Sequence, residues 1–138
     1  MFIRDNDTID VKVYYRKKGY RFVTYTSHEF EKSNLKDDEK KKFSEINIKM
    51  RELTWGLYNQ LQEDAMTEDS TGKAQFNVKV YKENRLLKLI QTWDAIDGDS
   101  NPVPINNNSV SHLAPDIAET ILRAYDEFSF ISEEEEGK

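Results

Sequence analysis

Apolar and polar positions alternate from residue 9 to 16, with Ile9, Val11, Val13 and Tyr15 on one side and Asp10, Lys12 and Tyr14 on the other. A period of two is that of a strand with one covered face. Lys17-Lys18-Gly19 supplies a turn, and Tyr20-Arg21-Phe22-Val23-Thr24-Tyr25-Thr26 is rich in aromatic and β-branched residues, so residues 9–27 predict a β-hairpin. A lone hairpin is marginal in water, and its covered face must lie on helices or on another chain's strand. Thr26-Ser27-His28-Glu29 then has the spacing of a helix capping box. Further on, Phe43, Ile46, Met50, Leu53, Leu57, Leu61 and Ala65 recur at steps of three or four in a stretch without proline. That spacing predicts one long helix over 36–66, with Trp55 and Tyr58 widening its apolar face.

Residues 67–73 are polar and contain Gly72, which marks a loop. Phe76, Val80, Leu87, Ile90 and Trp93 fit a helical stripe, and the helix formers of residues 83–91 favour a helix over 75–92. Residues 76–81 also alternate as a strand would. Residues 94–108 are irregular, with an Asp-Gly-Asp-Ser-Asn-Pro turn at 97–102. Pro115, followed by Asp116 and Glu119, opens a last helix over 115–130 whose buried face is Ile117, Ile121, Tyr125 and Phe128. The expected fold is α+β and mostly helical: an N-terminal β-hairpin packed on three to four α-helices in one domain, 1–132. An acidic mobile tail, 133–138, follows it.

Composition narrows the function classes. A chain of 138 residues with 37% hydrophobic content suits one core, and 26 acidic against 20 basic residues give a net charge of −6. That balance disfavours nucleic acid and anionic membranes as partners. The absence of cysteine removes disulfides, thiolate metal sites and a thiol nucleophile. No apolar run is long enough to cross a bilayer, and Met1-Phe2-Ile3-Arg4-Asp5 turns polar too early for a secretory leader, so a cytoplasmic location is expected.

Candidate chemistry is sparse. His28 and His112 lack a second histidine or a carboxylate at ligand spacing. An enzyme would need one of them in a formed pocket beside two carboxylates. The turn at 97–101 offers oxygens at calcium-loop positions one, three and five, but Pro102 stands where glycine is required and Asn108 where glutamate is, so it reads as an acidic turn. Lys40-Lys41-Lys42 lies among acidic residues and reads as a solvated face. No catalytic residue, cofactor or metal is assigned. The stripe from Phe43 to Ala65 admits two readings, an internal core or a seam for another protein.

The segments Leu86-Leu87-Lys88-Leu89-Ile90-Gln91-Thr92-Trp93-Asp94, Asp97-Gly98-Asp99-Ser100-Asn101-Pro102-Val103-Pro104-Ile105, residues 109–113 and residues 117–125 follow in an order that resembles the C-terminal half of tail assembly chaperones of long-tailed bacteriophages. The resemblance covers about residues 84–128 and is one of composition and order. It implies a non-enzymatic protein that binds the tape-measure protein during tail building, contacts the tail tube protein, and is absent from the finished virion; self-association is compatible with it. It also implies the host cytoplasm. The surface expected to serve is Met50, Leu53, Leu57 and Leu61, with Trp93, Ile121 and Tyr125. A small virion component forming a ring is the alternative. A slippery frameshift site of the kind such genes often carry would be translated as Gly-Lys, which Gly137-Lys138 matches, but composition favours an ordinary acidic, solubilising tail.

Overall fold

The computed structural model describes the backbone of residues 1–136 and the side chains of residues 1–128. Its spine is β1 (Thr8–Lys18), which pairs antiparallel on one side with β2 (Arg21–Thr26) and on the other with β3 (Ser44–Arg51). The first pairing is the expected hairpin, closed at Gly19, whose φ of +67° suits the first central position of a tight two-residue turn.

The second pairing corrects the helix expected over 36–66. The capping box opens α1 (Ser27–Lys32), and the 36–66 region itself holds α2 (Asp37–Lys40), β3 and α3 (Trp55–Asp64). The reason lies at Ile48, which a step of three or four skips. Ile46, Ile48 and Met50 alternate with Glu45, Asn47, Lys49 and Arg51, and all three apolar side chains are buried. β1 had a free edge and an apolar face, and tertiary pairing with a period-two segment overrides helix propensity. Thr54 caps α3, its Oγ1 accepting from the Leu57 amide at 3.1 Å.

Beyond α3, β4 (Met66–Glu68) and β5 (Ala74–Phe76) form a small hairpin, so of the 76–81 segment that also alternates as a strand only Phe76 is in one, and residues 78–81 open the expected helix. That helix is α4 (Val78–Leu89), and the chain then enters β6 (Ile90–Trp93), which pairs with β3 and completes a sheet of order β2-β1-β3-β6. The fold is thus α+β, with a four-stranded antiparallel sheet in place of an isolated hairpin. After a loop come α5 (Asn107–Ser111) and α6 (Pro115–Glu136). Residues 133–136 of the expected tail are the end of α6, and residues 137–138 lie outside the described residues.

One face of the sheet carries the core. Ile9, Val11, Val13, Ile46, Ile48, Met50 and Ile90 meet Leu86 and Leu89 of α4 and Ile117, Ile121, Leu122 and Tyr125 of α6. Phe128, expected in that buried row, is 43% exposed. Polar contacts fix α6 in register. Thr120 Oγ1 donates to the Asp116 carbonyl at 2.6 Å, so Thr24 is the donor in the 2.7 Å hydroxyl pair it makes with Thr120. Thr26 Oγ1 donates to Glu127 Oε2 at 2.7 Å while accepting the Glu29 amide as the cap of α1. On the opposite face Phe30 stacks on Tyr14 with ring centroids 3.9 Å apart, and Phe43 closes the aromatic group.

The phase of the β1 ladder follows from one bond: the Glu52 amide donates to the Asp7 carbonyl at 3.0 Å. In an antiparallel pair alternate residues face opposite edges. Ile9 and Val11 therefore bond to β3, while Thr8, Asp10 and Lys12 face an edge that β2, ending opposite Val13, leaves uncovered. Val11→Pro is expected to cost about 3 kcal/mol and Asp10→Pro markedly less. Denaturant midpoints of the two variants check this, and equal losses would contradict the assigned phase.

Candidate functional site

An apolar concavity lies where the sheet, the 94–105 loop and the α5–α6 corner meet. It is a groove of about 690 Å³. Its floor is the end of the sheet's core face, with Tyr15, Phe22 and Ile46. One wall is Trp93, Ile96, Pro102 and Val103, and the other is Leu113, Ala114 and Ile117. The groove exists because α6 crosses β1 and β2 and leaves this end of the sheet to the loop.

The loop is held as a wall by its own bonds. Trp93 Nε1 donates to the Val103 carbonyl at 2.7 Å, and the Val103 amide donates to the Ala95 carbonyl at 3.0 Å. Ile96 pairs with Pro102, and between them Asp97 Oδ1 accepts the amides of Asp99 and Asn101 at 2.8 and 3.0 Å. The acidic turn read from the sequence thus has a structural task, since it closes the small hairpin that presents Ile96. With 57% of its surface exposed, Ile96 is an apolar side chain at the mouth of an apolar groove.

His112 lines the groove together with Glu45, Asp94 and Asp97, the composition that an enzymatic reading requires. Their bonds lead elsewhere. His112 Nδ1 lies 2.7 Å from the Asn108 carbonyl, which can only accept, so the ring donates its Nδ1 proton there. Asp94 accepts the Asn47 amide and side chain at 2.7 and 2.8 Å, and Glu45 pairs with Lys12 at 3.2 Å. No hydrogen bond joins the histidine to a carboxylate among the described residues, nor do these contain a group of three or more metal-ligating side chains. His28 is exposed in the first turn of α1. Among the described residues, no helix is long and apolar enough to cross a membrane.

No known family, curated protein or solved structure matches this chain.

Of the seven residues expected to bind a partner, only Trp93 lines the groove. Met50, Leu61, Ile121 and Tyr125 are buried, and Leu53 and Leu57 pack against the core at half burial. The stripe they were read from is divided between a strand and a helix, and its buried members are internal. Ile96, Val103 and Leu113 were missed because they sit in or beside irregular chain, where no period points to them. The available signal was Trp93 followed by isolated apolar residues bracketing a tight acidic turn.

The burial of Tyr125 has a measurable consequence. Its hydroxyl donates to the Arg51 carbonyl at 3.0 Å, and burial pushes its pKa from 10.0 up to about 12. A phenol that keeps its proton longer when folded favours the folded state fully below pH 10, the unfolded value, and that advantage is lost as pH rises toward 12. Tyr125→Phe is expected to cost about 1 kcal/mol near neutral pH and to flatten the fall in stability over this window, as read from melts at stepped alkaline pH. A second contrast separates core from groove. Ile121→Ala should lose about 2–5 kcal/mol, whereas Ile96→Glu should stay within about 0.5 kcal/mol of the parent. Urea titrations of both variants test it.

Proposed function

We propose that the chain is a tail assembly chaperone of a long-tailed bacteriophage, and that the groove beside Trp93 takes up apolar segments of the tape-measure protein during tail building. The observation that carries this reading is a coincidence of place. The segments that bear the resemblance, from Trp93 and Asp94 through the Asp-Gly-Asp turn and Pro102-Val103-Pro104 to Leu113 and Ile117, converge on the walls of one groove. Residues far apart in the chain supply a continuous apolar surface that the core does not fill.

The physics suits repeated, moderate binding. A concave apolar surface gains by removing a partner's side chains from water, at about 25 cal/mol per Å² of apolar area buried. The Trp93 ring is pinned by its bond to Val103, so less ordering is required when a segment arrives. The chain's net charge of −6 keeps copies apart while the groove is empty. In this role the protein holds a helical partner's apolar face until tube subunits cover it, then leaves.

Co-expression with the tape-measure protein and capture through a tag on the latter is the direct experiment. Wild-type chain should co-purify, and Ile96→Glu should reduce recovery at least about tenfold while its melting temperature stays that of the parent. Undiminished recovery of Ile96→Glu would place the contact elsewhere. Mass spectrometry of purified virions should find the chain absent, and a stoichiometric presence would favour a ring component instead.

A further inference from the structure

The groove has a sign as well as a shape. Among its lining residues are Glu45, Asp94 and Asp97, and no lysine or arginine. Glu45 already has Lys12 at 3.2 Å. Asp94 and Asp97 are exposed and form no ion pair among the described residues: Asp97 is held by backbone amides alone, and Asp94 is bonded to the neutral Asn47, with Lys12, already engaged by Glu45, the cation that feels its charge. Both are also held still. Asp94 is gripped through both oxygens by Asn47, and Asp97 is fixed through Oδ1 by two amides of its own turn, which leaves Oδ2 without a bond from any described residue. Two fixed carboxylates beside an apolar surface form a recognition element that a loosely held surface acid does not, because little side-chain freedom is lost on pairing. Low-dielectric walls strengthen their field at the groove mouth.

We infer that the groove selects cationic amphipathic segments, in which lysine or arginine flanks the apolar residues and reaches Asp94 and Asp97 as the apolar face settles on Trp93 and Ile96. This rests on the groove being the partner site, and it adds the partner's charge. An arginine is the better match, because its planar fork can meet the Oδ2 edge of Asp97 while its stem covers apolar surface.

The test uses the full chain and two labelled helical peptides that share one apolar face and carry either lysine or glutamate at the flanking positions, with fluorescence anisotropy as the readout. The lysine peptide should bind about three- to tenfold tighter at low salt, and the gap should shrink at high salt. The whole chain is acidic, so two variants locate the effect. Asp97→Asn retains the one oxygen its turn uses, and in Asp94→Asn the Asn47 side chain can turn its own oxygen toward the new amide, so both should melt like the parent and lose most of the preference. Equal affinity for the two peptides would overturn the charge inference and leave the groove reading standing. A preference that survives both substitutions would overturn it as well, by placing the charge elsewhere. If neither peptide binds, both the charge inference and the groove reading fall.

Discussion

The fold depends on the two unequal partners of β1. This strand is eleven residues long, and the hairpin return covers only residues 13–18 of one edge. Its other edge and its apolar row of Ile9, Val11 and Val13 must be paired, and residues 44–51 are the segment whose period fits. Once β3 lies there, Ile46, Ile48 and Met50 extend the apolar row into a surface, and that surface needs helices. α6 and α4 supply them, and the polar bonds of Thr24, Thr26 and Tyr125 allow α6 only one register on the sheet.

The groove follows from the same geometry. α6 starts at Pro115, beside the sheet end that carries Tyr15 and Phe22, and leaves the space in front of them uncovered. The chain between β6 and α5 must return across that space, and it does so as a bonded hairpin braced by Trp93. The result is an open groove lined mainly by apolar side chains. Its acidic mouth sets it apart from the α4–α6 contact, where Glu119 meets Lys82 and Asp126 meets Arg85 within the chain.

What could be read from the sequence divides along physical lines. The hairpin, the Thr26–Glu29 capping box and the start of α6 at Pro115 were legible because each is set by residues within a few positions of one another. The 36–66 region was not, because its spacing satisfies two periods at once and the choice belongs to β1, some thirty residues away. The binding surface went astray with it. Met50, Leu61, Ile121 and Tyr125 share the apolar character expected of a docking face, and only their burial separates them from one. Trp93 was found through the resemblance, and Ile96 and Val103 were not found because a loop wall has no periodicity to betray it.

Hydrogen exchange measured on the full chain, free and with the tape-measure protein, tests the central claim most directly. Slowed exchange concentrated at residues 93–117, with the amides of α3 unchanged, is the result this account predicts. Protection confined to α3, around the 77% exposed Trp55 and its stacked neighbour Tyr58, with no change at the groove, would contradict it.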